Sequence, residues 1–285
     1  MNWRSGYRRF WALAFLLTLF GASAAAQEGA RPIRVAVVNT PQFSGLMAML
    51  LGEFERASGR ATELHGGSDV FELAISGQAD IVIAHLGKEG FRSFVLDGHG
   101  RWPQTVFSNQ AAIIGPPDDP AGIRGMTDAA AALRRIAASG SPFIVNRLAG
   151  VSYLTEILME TAGRLDKGPW IVDEGVAKGR ALRLAEARKG YVIFGALPFL
   201  RVKSRQGLAL EILVAGDPIL QRVMASSVVD PKRHPEADVE GATALQAFLL
   251  EPRIQAAIAA YRSPGSPLQL WWPAGRHNQA SSAFD

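Results

Sequence analysis

Five short stretches of the chain set hydroxyl, amide or charged side chains beside glycine. They are Asn39-Thr40…Ser44-Gly45, Gly66-Gly67-Ser68, Asn109-Gln110 (glycine-free itself, ahead of Gly115), Asn146-Arg147…Gly150-Val151-Ser152 and Glu174-Gly175…Gly179. Such residues offer hydrogen-bond donors without a nucleophile. Glycine lets a ligand approach the backbone closely. Several stretches run straight into helical patterns, whose free N–H groups and dipole favour an anion. The candidate ligand-binding residues are therefore Asn39, Thr40, Ser44, Gly67, Ser68, Asn109, Asn146, Arg147, Ser152 and Gly175. Each also has a plainer role. Ser44 and Ser68 suit helix N-caps, and Gly66-Gly67 suits a tight turn. Their repetition at successive junctions is what points to a shared ligand site.

Other chemistries lack their residues. There is no cysteine, so disulfides and thiolate chemistry are excluded. The five histidines, His65, His85, His99, His234 and His277, show no metal-ligand spacing. His85 closes an apolar run and reads as a structural histidine. No nucleophile elbow or phosphate loop occurs. Asp118-Asp119 sits among prolines and reads as a turn. No catalytic residue, metal or cofactor is expected.

The elements that must position these junctions alternate. "IRVAVVN" (33–39) reads as a buried strand, and Leu46, Leu50 and Phe54 then line one helix face. "ATELHGG" and "ADIVIAH" read as further strands, with a helix between them that Ser68 could cap. A long extended stretch, "QTVFSNQAAIIG", carries a polar break at Ser108-Asn109-Gln110. An alanine-rich helix (128–138), "PFIVN", a helix from about Ser152, a helix near 177–188 and "GYVIFGA" follow. "LALEILVAG" and "VMASSVV" read as strands, two helices lie near 237–249 and 251–261, and a proline-rich tail ends the chain. Alternating strands and helices predict an α/β fold with parallel sheets, here as two units. The chain crosses between them at Asn109 and again near 210–228. In such sheets ligands sit at the carboxyl ends of strands.

The first 26 residues have the pattern of a secretory signal peptide. Arg4, Arg8 and Arg9 precede an apolar run from Phe10 to Phe20, and Ala24 and Ala26 form a small-residue cleavage site. Removing this segment lowers the formal net charge from +4 to +1, because it carries three arginines and no acid. No basic stripe is left for nucleic acid. The mature chain is expected to be soluble and to begin at Gln27.

Several stretches resemble one family. "GPPDDPAGIRGMTDAAAALRRIAASGSPF" (115–143), "LEILVAGDPIL" (210–220), "VVDPKRHPEADVEGATALQAFLLEPRIQAAIAAY" (228–261) and "PLQLWWPAG" are similar to the tungstate-binding proteins of ABC importers. The likeness runs from about Ile33 to about Gly275. It implies a two-lobed periplasmic binding protein of type II-like architecture, with the ligand cleft between the lobes. Lobe I would comprise 32–108 plus 226–265, lobe II 109–225, and residues 266–285 a C-terminal tail. The double crossing between the units places hinges near Ser108–Gln110 and Gly216–Ser227; a monomer is expected, and the resemblance implies a partner ABC permease in the inner membrane. The ligand implied is an oxyanion held by hydroxyls, backbone N–H groups and an arginine. A periplasmic ligand sensor or a secreted enzyme on the same fold are the alternatives.

The site departs from that pattern. The family's threonine-rich strand end is Val38-Asn39-Thr40-Pro41 here, and its Gly-Thr-Gly is Gly66-Gly67-Ser68. Its arginine-bearing segment, S-R-G-D-D-S-G-T-H, stands as Val145 to Tyr153, so that Asn146 takes the arginine's place and Arg147 follows it. Its T-L-T-D-R segment is Val192 to Ala196. Donors have been replaced by apolar groups, which predicts weak tungstate and molybdate binding unless Arg147 turns into the cleft. A different anion or a small organic anion then becomes the expected ligand.

Overall fold

The structure is a computed structural model that describes residues 31–264 and 267–274. The segment expected to be a signal peptide and the end of the tail lie outside the described residues. The first half alternates regularly. It runs β1 (Ile33–Val38), α1 (Asn39–Phe43), α2 (Leu46–Ser58), β2 (Thr62–Gly67), α3 (Val70–Ile75), β3 (Ile81–His85) and α4 (Phe91–Leu96). β1 pairs in parallel with both β2 and β3. Every residue of β1 except Arg34 is buried, as its β-branched run requires.

The long β4 (Gln104–Gly115) then enters the second half: α5 (Ala129–Ser139), β5 (Phe143–Ile144), α6 (Ala149–Thr161), β6 (Ile171–Val172), α7 (Gly179–Ala187), β7 (Tyr191–Gly195) and α8 (Ala196–Gln206). Then come β8 (Glu211–Val214), β9 (Gln221–Val228), α9 (Val239–Leu249), α10 (Pro252–Ala260) and β10 (Trp271–Pro273). The strand order is β2-β1-β3-β9-β4-β7-β5-β6. β4 belongs to both halves. Its residues 104–110 pair antiparallel with β9, and 111–114 pair antiparallel with β7. One apolar cluster joins Leu50, Phe54 and Ile83 to Ile114 and Phe199, and a second gathers Ile113, Leu133, Phe143, Leu158 and Tyr191.

Three expectations are corrected. No break occurs at Asn109: residues 104–115 form one strand. Ser108, Asn109 and Gln110 are buried, and their backbone stays in register with β9, Asn109 opposite Arg222. Ser68 does not cap α3, since Asp69 holds the N-cap position. α6 starts at Ala149, three residues before Ser152. The tail is pinned to the core by Trp271. Trp271 is fully buried, lies against Phe107 with ring centroids 5.5 Å apart, and pairs with Asn109 on β4.

The junction after β1 is also tighter than a loop. Asn39-Thr40-Pro41 opens α1, where proline's missing N–H costs nothing in the first turn. Gly45 then takes φ +84° and stands at the N-cap of α2. A Cβ there would lie 2.6 Å from the Tyr261 hydroxyl, which donates to the Ser44 carbonyl at 2.7 Å. Glycine is thus required twice over, by conformation and by close approach.

Candidate anion-binding site

The ends of β1, β2 and β3 meet the start of α6 at a cleft of about 280 Å³. Asn39, Thr40, Gly67 and Ser68 line one side, Leu148 and Gly150 the other, and His85, Lys88, Glu89 and Arg222 complete it. A neighbouring space of about 410 Å³ shares His85, Gly87 and Arg222 and is closed by Leu86, Tyr153, Gln221 and Val223.

Arg222 is the distinctive residue. It comes from β9, which is held to the end of β3 by the Leu86 N–H donating to the Val223 carbonyl at 3.1 Å. A Cβ on Gly150 would stand 2.3 Å from the Arg222 Nη2. Glycine at this position therefore lets the guanidinium lie against the first turn of α6. That helix has 13 residues and no side-chain cap at Leu148. Its N-terminus carries a partial positive charge, so a cation there is repelled. Among the described residues no carboxylate forms an ion pair with the Arg222 guanidinium, although Glu89 lines the same cleft. The Arg222 Nε is enclosed without a hydrogen-bond partner. Burial lowers the guanidinium's proton affinity, and only the nearby Tyr153 acts the other way.

His85 shares the environment. Its Nδ1 is enclosed without a partner. Burial first, and then the charges of Arg222 and Lys88, push its pKa well below the usual histidine range. The imidazole is neutral at physiological pH and adds no charge. His85 is thus a cleft residue and not the satisfied structural histidine expected. An incoming anion would meet one guanidinium, one helix terminus, the Lys88 ammonium and the exposed Glu89 carboxylate.

The remaining sequence candidates separate. Asn109 lies in register beside Arg222 on the neighbouring strand, and its Oδ1 has no partner. Ser44 is buried elsewhere. Its hydroxyl donates to the Pro41 carbonyl at 3.1 Å and accepts from the Leu46 N–H at 3.3 Å. Asn146 braces loops: its Nδ2 donates to the Ile193 carbonyl, and its Oδ1 accepts from the N–H groups of Leu148 and Lys178. Arg147 is exposed and bonded through Nε to Asp173 at 3.0 Å, and the two line a different groove together with Ser152. Gly175 is exposed and donates its N–H to Asp173. Arg222 was missed by sequence reasoning. Its one signal is a lone charge immediately before the apolar and small-residue run "VMASSVV" (223–229).

Comparison with known proteins gives a consistent picture. No family model matches the chain. A putative ABC transporter anion-binding protein of Haloferax volcanii is 29% identical over 260 residues, covering 89% of this chain and 75% of the relative. The tungstate-binding protein TupA of Peptoclostridium acidaminophilum is 26% identical over 243 residues, covering 83% and 84%. The solved TupA of Desulfovibrio alaskensis G20 superposes with a TM-score of 0.73 at 25% identity, covering 86% of this chain and 99% of that one. The chain is a divergent relative of the tungstate-binding proteins of ABC importers. Its fold is that of these two-lobed binding proteins. Among the described residues no helix is long and apolar enough to cross a membrane.

Proposed function

We propose that this chain is the extracytoplasmic solute-binding protein of an ABC importer and holds an anion, an oxyanion or a small organic anion, in the cleft beside Arg222. The observation that carries this reading is the Arg222 guanidinium against the N-terminus of α6, with its Nε unpaired and, among the described residues, no carboxylate in ion-pair contact with it. An enclosed charge without a partner is unfavourable. A bound anion would satisfy the guanidinium and the helix terminus together. We assign lobe I to 32–108 plus 226–265 and lobe II to 109–225, with hinges in β4 at Ser108–Gln110 and in Gly216–Ser227. The anion would then bridge α6 of one lobe and the β1 and β2 ends of the other, which favours closure. The closed monomer, in the periplasm, is the form that an inner-membrane permease would accept. No step of this cycle needs an enzyme's nucleophile or a cofactor.

The role of Arg147 as a substitute for the family arginine receives no support from its pairing with Asp173. Tungstate and molybdate are therefore expected to bind weakly. The test is a thermal-shift screen of the mature chain with tungstate, molybdate, phosphate, sulfate and small carboxylates. A ligand that binds only the folded state raises the melting temperature by mass action. We expect at least one anion to do so and to reduce the radius of gyration in small-angle scattering. No stabilisation by any anion would contradict the reading.

A further inference from the structure

The unliganded cleft is larger than a bare oxyanion requires. A tetrahedral oxyanion presents four oxygens, and at about 30 Å³ for each water-sized group it fills roughly 120 Å³. The chamber beside α6 already measures about 280 Å³, and the adjoining one about 410 Å³. Arg222, His85 and Gly87 stand in the wall that both share. The two chambers differ in chemistry. The first has the helix terminus and the Thr40 and Ser68 hydroxyls. The second is lined by Leu86, Val223 and the Tyr153 ring, which also lies over Gly87. Charge points the same way. Lys88 and Glu89 line the first chamber with opposite signs, and His85 is neutral. The described side chains that line the two chambers then sum to one positive charge, which suits one negative charge better than two.

We propose that the ligand is a small organic monoanion, with its acid group between Arg222 and the start of α6 and its apolar body in the chamber of Leu86, Tyr153 and Val223. This rests on the anion-binding reading above and narrows it to a ligand class. Burial of the body would supply affinity that a few donors do not, at about 25 cal/mol per Å² of apolar surface removed from water.

The test is calorimetric titration of the mature chain with benzoate and hexanoate as acids with a body, and with tungstate and phosphate as bare anions. Benzoate or hexanoate should bind at least 10-fold more tightly than either bare anion. Val223→Phe, which fills the second chamber, should weaken the organic acid at least 10-fold and leave any bare-anion binding within about 2-fold. Tyr153→Ala repeats the test on a residue whose truncation leaves the β-strands intact. Tighter binding of tungstate or phosphate than of both organic acids would overturn this proposal and leave the anion reading standing. Organic-acid binding unmoved by both substitutions would overturn it as well. Binding of none of the four probes would overturn this proposal together with the reading beneath it.

Discussion

At the N-terminal end of β3, Asp80 is fully buried, and every lone pair has work. Arg31 reaches it at 2.7 Å and Arg34 at 2.8 Å, while the backbone N–H groups of Arg34 and Asp238 donate at 2.8 and 3.0 Å. At the C-terminal end of the same strand, His85 and, on the neighbouring β9, Arg222 are half-buried, and the His85 Nδ1 and the Arg222 Nε have no hydrogen-bond partner. One strand thus ends in a completed charge cluster and in an incomplete one. Burying charge is costly in both places. The first end repays that cost within the fold, and under the proposed function a bound anion would repay it at the second. A paired charge reads as architecture, an unpaired one as a site.

The largest expected effect is at the completed end. Asp80→Asn should destabilise the chain by about 3–5 kcal/mol, the usual penalty for breaking a buried pair. Urea denaturation measures it, and loss of less than about 1 kcal/mol would break the contrast. The pH dependence sharpens this. Burial alone would raise the Asp80 pKa, but the hydrogen bonds from Arg31, Arg34 and Asp238 outweigh it and hold the carboxylate far below its ordinary value. A depressed folded pKa gives stability that is present above the unfolded value of about 3.9 and is lost as pH falls below it. The gap between wild type and Asp80→Asn in urea midpoints should therefore be widest at neutral pH and narrow under acid.

At the incomplete end the pattern should reverse. Arg222→Gln should leave the unliganded melting temperature unchanged or raise it, since it removes an enclosed charge without a partner. It should weaken the best-binding anion by about 10- to 150-fold, the loss of one charge-assisted bond of about 1.5–3 kcal/mol. A marked fall in unliganded stability would mean that Arg222 is structural after all. The smallest effect belongs to Arg147→Gln. Its partner Asp173 and Arg147 itself are at the surface, so melting temperature and anion binding should both stay at wild-type values.

The same contrast explains what the sequence could disclose. β1 and α2 were legible because a β-branched run and a Leu46–Leu50–Phe54 stripe are local signals. The cleft residues Asn39, Thr40, Gly67 and Ser68 were legible because strand ends in parallel sheets collect ligands. Arg222 was hidden, because its significance depends on register. It needs β9 beside β3, Asn109 opposite on β4, and Gly150 on a helix 72 positions earlier in the chain. Arg147 was prominent for a local reason, its place one residue after the family's arginine. Its partner Asp173 lies across a separate strand pairing, β5 with β6, that no local pattern announces. A family motif marks the paired arginine, while its pairing is visible only in three dimensions.

The central claim is that Arg222, and not Arg147, holds the anion. The most direct measurement is thermal stabilisation of wild type, Arg222→Gln and Arg147→Gln by benzoate and by tungstate under identical buffer conditions. The account predicts that the stabilisation seen in wild type persists in Arg147→Gln and disappears in Arg222→Gln. Stabilisation retained in Arg222→Gln but lost in Arg147→Gln would contradict it.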